Sequence, residues 1–228
     1  MRRQSEEGVT WINVKSAGSR QSREHPEMAM KHAVIVAHPN AESLNVTLAK
    51  AYHAAALAQG DTVVWRDLYR MGFNPCLQDD EIPRAGAQGA RPDVVKERAD
   101  IADADVYAFI YPLWFNSPPA ILKGYIDRVF GAGFGFQAGP HGAEPLLRGR
   151  MMFSITTSGA PQAWMQQTGT WEALRKLFDE HFASVCGLSV VEHLHFGNIT
   201  PGITTEAVMG YQATVSQSVN RTFALSPA

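Results

Sequence analysis

Three short turns hold the residues with the most chemistry in this chain: His38 to Asn45 (HPNAESLN), Pro112 to Asn116 (PLWFN) and Thr156 to Gly159 (TTSG). In the first, His38, Ser43, Leu44 and Asn45 stand just ahead of an alanine- and leucine-rich run. A helix starting there would present unpaired N–H groups and a positive dipole end, a setting that suits phosphate. In the second, Leu113, Trp114 and Phe115 make an aromatic wall of the kind that faces a flat, conjugated ring. In the third, Thr156, Thr157, Ser158 and Gly159 offer hydroxyls and backbone donors for a ring edge carrying carbonyls and nitrogens. Each turn also has a plainer reading. Ser43 suits an ordinary helix N-cap, the two aromatics suit a lid on the core, and the third turn suits another cap. Trp164, shortly beyond, either walls the same pocket or sits on the surface.

Other chemistries find little support. A dinucleotide fold needs G-x-G-x-x-G between the first strand and its helix. The chain has none there, and Gly131, Gly133 and Gly135 precede no helix. G-x-S-x-G is absent as well, which argues against a serine hydrolase. His193 and His195 share one face of an extended run but lack a third ligand nearby, so no metal is expected. A formal charge of -2 and a pI near 6.4 give no reason to expect nucleic acid or an anionic membrane as partner. No apolar run approaches the roughly 20 residues needed to span a bilayer. Two cysteines, Cys76 and Cys186, lie far apart, consistent with a reducing cytoplasm.

The elements that must position these turns follow from periodicity. Short β-branched or aromatic runs predict strands at 32–37, 62–65, 106–111, 151–156 and 188–196. Helices are predicted over 45–59, 93–104, from Pro118-Pro119 to Phe130, over 171–185 and, more weakly, over 204–223. Pro112 is read as the stop of the third strand. Residues 77–93 read as an exposed insertion and 131–149 as a glycine- and proline-rich loop. Residues 1–29 are polar and without period, and are expected to be a disordered leader ahead of a single domain over 30–228. Alternating strands and helices predict a doubly wound α/β fold, a five-stranded parallel sheet with helices on both faces. The three turns would then line one edge of that sheet.

At this point the chain resembles a known family. YPLWFNSPPAILKGYIDRVF (111–130), AHPNAESLN (37–45), DLYRMGFNP (67–75) and SITTSG (154–159) are similar to stretches of the flavodoxin-like NAD(P)H:quinone oxidoreductases, the DT-diaphorase group and its bacterial relatives. The resemblance implies a bound flavin, FAD in the diaphorases and FMN in some relatives, with NADH or NADPH as donor and a quinone-like acceptor. It implies that His38, Ser43, Leu44 and Asn45 hold the phosphate side. Pro112, Leu113, Trp114, Phe115 and Asn116 would lie against the ring, and Thr156, Thr157, Ser158 and Gly159 would touch its pyrimidine edge. Phe136 matches an aromatic that reaches the partner subunit's pocket, which implies a homodimer. Trp164 stands where the diaphorases have a tyrosine, and the histidine following that tyrosine falls at about Thr170, so their Tyr-His proton relay does not carry over. The alternatives kept are an azo- or nitroreductase, and a flavin-binding regulatory subunit peripheral to a potassium-efflux transporter.

Overall fold

The computed structural model describes residues 29–82 and 89–224; all but the last residue of the leader expected over 1–29, and the middle of the 77–93 insertion, lie outside them. Five strands, β1 (Lys31–Val36), β2 (Thr62–Asp67), β3 (Val106–Pro112), β6 (Met151–Thr157) and β7 (Ser189–Phe196), form one parallel sheet in the order β2-β1-β3-β6-β7. β1 and β3 are buried nearly end to end, as expected for strands covered on both faces. Alternate residues face opposite helical layers. Val34, Val36, Val106, Ala108, Ile110, Phe153 and Ile155 pack against α1 (Leu44–Ala58) and α7 (Thr205–Phe223). Ala33, Ile35, Tyr107, Phe109 and Tyr111 pack on the other side, against α2 (Pro92–Ile101), α3 (Ala120–Val129) and the helix that follows Gly169. The doubly wound α/β expectation with helices on both faces holds, and the strand order is the flavodoxin-like one.

Three sequence readings need correction. The loop expected over 131–149 contains an antiparallel hairpin, β4 (Phe136–Gly139) with β5 (Gly142–Pro145). Its strands are too short and too exposed to show a hydrophobic period. The insertion over 77–93 is exposed only in part. Glu81 is buried, and Arg128 of α3 donates to it, to Asp93 and to the Asn74 carbonyl, clamping the segment onto the helix. The helix expected over 171–185 is built as α5 (Thr170–Arg175), a π-helical segment (Lys176–Phe182) and α6 (Ala183–Cys186). Gly187 ends it in the left-handed conformation, as a C-cap glycine does. Ahead of it, α4 (Gln162–Gln167) follows the third turn.

Gly124 shows why α3 carries a glycine in mid-helix. A Cβ there would lie 2.1 Å from the Pro75 carbonyl oxygen, so the 67–75 loop can pack on α3 only if that position is bare.

Candidate active site

The carboxyl ends of β1, β3 and β6 do meet. His38, Leu44, Asn45, Pro112, Leu113, Trp114, Thr157, Ser158, Gly159 and Ile199 line one crevice of about 230 Å³. It lies where β1 and β3 are neighbours and their connections leave in opposite directions, the switch point at which open α/β sheets bind ligands. Ile199, in the segment after β7, was not anticipated, because nothing in its sequence surroundings marks it.

The first turn is held from three sides. Ser43 caps α1 by accepting the Val46 N–H at 3.3 Å, which leaves the N–H groups of Leu44 and Asn45 without intrahelical acceptors. Arg70, beyond β2, donates to the carbonyls of His38 and Pro39 and so fixes the approach of the chain to the helix. His38 Nδ1 lies 3.1 Å from the Asn40 N–H and 3.2 Å from the Asn40 carbonyl oxygen, so the ring is anchored to this turn in either tautomer. Partial burial holds this imidazole below its ordinary pKa, and the nearby Arg70 charge acts in the same direction.

The second turn is sharper than sequence suggested. Trp114 and Ser117 exchange two backbone hydrogen bonds of 3.1 Å, closing a two-residue turn at Phe115 and Asn116. Both central residues have positive φ, 51° and 55°, the pattern of a type I′ turn. Asn adopts that region readily, but Phe does not. Phe115 is fully exposed, at 104% relative accessibility, and does not line the crevice. Asn116 turns away too, donating to the Thr170 carbonyl at 2.7 Å. Trp114, half exposed, is the aromatic that does line the crevice, 6.1 Å from the His38 ring.

The third turn splits. Thr157 donates to Asn45 Oδ1 at 3.1 Å, linking two turns that lie far apart in sequence. Asn45 Nδ2, on the other side of that amide, is buried without a partner among the described residues. Thr156 lies beneath the crevice, fully buried and bonded to His193 and His195, so its side chain is not a wall residue. Trp164 is 52% exposed on α4 and lines neither this crevice nor a second, larger cavity of about 1060 Å³ that Phe136 helps to line.

This geometry can be set beside known proteins. A family model described as a flavodoxin-like fold matches residues 30–219. The chain is 33% identical over 171 residues to an uncharacterized NAD(P)H oxidoreductase of Haemophilus influenzae, covering 75% of this chain and 85% of that one. The chain belongs to the NAD(P)H:quinone oxidoreductase family of flavodoxin-like fold. Rat NAD(P)H dehydrogenase [quinone] 1 is 29% identical over 209 residues, 81% of this chain and 76% of its own. The solved structure of the NAD(P)H:quinone oxidoreductase from Methanothermobacter marburgensis superposes with a TM-score of 0.75 at 25% identity, covering 87% of this chain and all of that one. The most extended stretch of family resemblance, 111–130, therefore contains both the β3 crevice wall and the buried arginine clamp of α3.

Proposed function

We infer that this oxidoreductase is a flavin-dependent NAD(P)H dehydrogenase that passes a hydride to quinones in a ping-pong cycle, donor and acceptor using one pocket in turn. The observation that carries the reading is Asn45 Nδ2, a buried amide donor on a residue that lines the crevice at the sheet's switch point, with no partner among the described residues. Leaving such a donor unpaired costs about 1–3 kcal/mol, and a bound ligand's acceptor removes that cost. The residues present fit a flavin. The first-turn N–H groups of Leu44 and Asn45 and the dipole of α1 suit its phosphate. Trp114 and Leu113 offer an apolar face, while Thr157, Ser158 and Gly159 offer polar groups to a ring edge. When bound, the flavin supplies the hydride acceptor and donor. This chain's part is to hold the ring, to exclude water with Trp114 and Leu113, and to keep preorganised donors where negative charge accumulates.

In this reading the flavin is FAD and the protein is a cytoplasmic homodimer. The larger cavity supports the dimer, because Phe136, Ile126, Phe182 and the exposed Leu177 give it an apolar lining that a second copy would cover. The test is to purify the protein, release and identify its flavin by chromatography, and follow NADH and NADPH oxidation with a quinone. Flavin release with parallel initial-rate lines is expected. Intersecting lines would exclude the ping-pong scheme, and absence of flavin would overturn the assignment.

A further inference from the structure

Beneath the crevice runs a buried chain of side chains that reaches the crevice only at Ser158. Asp179 Oδ2 lies 2.8 Å from His193 Nδ1, and His193 Nε2 lies 2.9 Å from Thr156 Oγ1. Thr156 Oγ1 in turn lies 2.9 Å from His195 Nδ1, and His195 Nε2 lies 3.1 Å from Ser158 Oγ. Ser158 lines the crevice. The side chains of Asp179 and His193 are 3% and 4% exposed, so the far end of the chain is almost but not wholly closed to solvent. Trp171 packs against both imidazoles, with ring centroids 5.0 and 5.1 Å away. Asp179 reaches inward from the π-helical segment, an irregularity that often accompanies functional sites.

We propose that Asp179, His193, Thr156, His195 and Ser158 form a proton relay that delivers one proton to a ligand in the crevice. This rests on the quinone-reductase reading, in which forming a hydroquinone takes one hydride and one further proton. The polarity of the chain makes the transfer directional. With His193 neutral, every hydrogen bond can run one way: Ser158 O–H to His195 Nε2, His195 Nδ1–H to Thr156, Thr156 O–H to His193 Nε2, and His193 Nδ1–H to the Asp179 carboxylate. With a proton added at His193 Nε2 and His195 in its other tautomer the order reverses, and Ser158 then receives from His195 Nε2–H and becomes a free donor. Its hydroxyl has the Ala160 carbonyl at 2.9 Å as a resting acceptor.

In the transfer step the crevice ligand takes the Ser158 hydroxyl proton. Ser158 takes the Nε2 proton of His195, His195 Nδ1 takes that of Thr156, and Thr156 takes the Nε2 proton of His193. The bonds formed and broken balance, no electrons move, Asp179 stays a carboxylate, and solvent returns one proton to His193. The charged and titratable neighbours are compatible with this. Arg175 lies 3.4 Å from Asp179 Oδ2, Glu192 accepts the His193 N–H, and Tyr111 on β3 is held neutral by burial and by the Asp179 charge. Burial and the neighbouring His193 push His195 down to about 4.

Thr156→Val cuts the relay at nearly constant volume, and Thr156→Ser keeps the hydroxyl. Histidine-selective nitrogen NMR on the flavin-free protein should show His193 and His195 titrating as a coupled pair, made independent by Thr156→Val and coupled again by Thr156→Ser. In the flavin-loaded protein, Thr156→Val should slow the quinone half-reaction roughly 10- to 100-fold and give it a pH-dependent rate, with Thr156→Ser restoring both. Identical titrations in wild type and Thr156→Val, or an unchanged quinone half-reaction in a folded Thr156→Val protein, would overturn the relay. If instead the wild type carries no reducible flavin while the coupled titration is present, the quinone-reductase reading fails and the relay stands. Should Thr156→Val not fold, Asp179→Asn provides the same comparison from the far end.

Discussion

Asn45 is the single side chain that most clearly calls for a ligand. Its Oδ1 is taken by Thr157, and its Nδ2 has no partner among the described residues. Replacing it with leucine removes both groups and fills the crevice from below. Asn45→Leu should therefore lower flavin occupancy at least about tenfold, since one good polar contact is worth about 1.4 kcal/mol or more. The absorbance ratio of flavin to protein after purification measures this, and full occupancy would move the site elsewhere. Phe115 makes the opposite trade. Holding a phenylalanine at φ 51° costs roughly 1–2 kcal/mol. A fully exposed aromatic in a strained conformation has no folding reason to be there, which is the pattern of strain kept at functional sites. Phe115→Gly is expected to raise the melting temperature by a few degrees while weakening quinone binding. Thermal denaturation beside KM for the quinone will show whether both changes occur.

The elements show which features sequence can reveal. Every main-sheet strand was legible: β1 and β3, buried on both faces, leave continuous apolar runs such as HAVIV or VYAFIY, and the edge strands β2 and β7 were marked by β-branched pairs. Convergence of the three turns was legible too, since it follows from topology and not from any one residue. Within each turn, side-chain direction was not. Thr156 and Thr157 are sequence neighbours, yet strand alternation sends one beneath the crevice and the other to its wall. The role of Asp179 was equally hidden, because a helical acid pairs with a strand histidine only through tertiary packing. Gly124 offers a test at this scale. Helix propensity alone favours alanine there by about 1 kcal/mol. The Cβ would meet the Pro75 carbonyl oxygen at 2.1 Å, so Gly124→Ala should instead destabilise by several kcal/mol, read from chemical denaturation. A gain in stability would mean the 67–75 loop is not packed on α3.

For the molecule as a whole, buried histidines set the acid limb of stability. Burial lowers the pKa of His32, which lies among Tyr52, Asp61 and Phe223, despite the opposing pull of the Asp61 charge. Burial likewise brings His195 down to about 4. A base with a depressed folded pKa binds fewer protons folded than unfolded, so its contribution is complete above about pH 6.5 and falls as pH drops toward the folded value. Stability should be flat from pH 7 to 8 and decline between about 6.5 and 4, each group adding a slope of at most about 1.4 kcal/mol per pH unit. Below that window Asp93, Asp100 and Asp103, each lowered chiefly by a hydrogen bond from Arg128, Lys96 or Lys31, take over with the same sign. Urea titrations across the range should show this, and a maximum near pH 5 would contradict the neutral state of the two histidines.

The pairing of β1 with both β2 and β3 has a kinetic consequence. Lys31 registers with Thr62, but His32 also registers with Val106, so β1 is paired on both sides only after a long chain loop has closed. Such non-local pairings make folding slow. The crevice needs residues from 38 to 199 and exists only once β3 and β6 have joined as well. A flavin therefore has nothing to grip on the way up the folding barrier and stabilises only the finished protein. In stopped-flow chevrons, added flavin should slow the unfolding arm and leave the folding arm where it was.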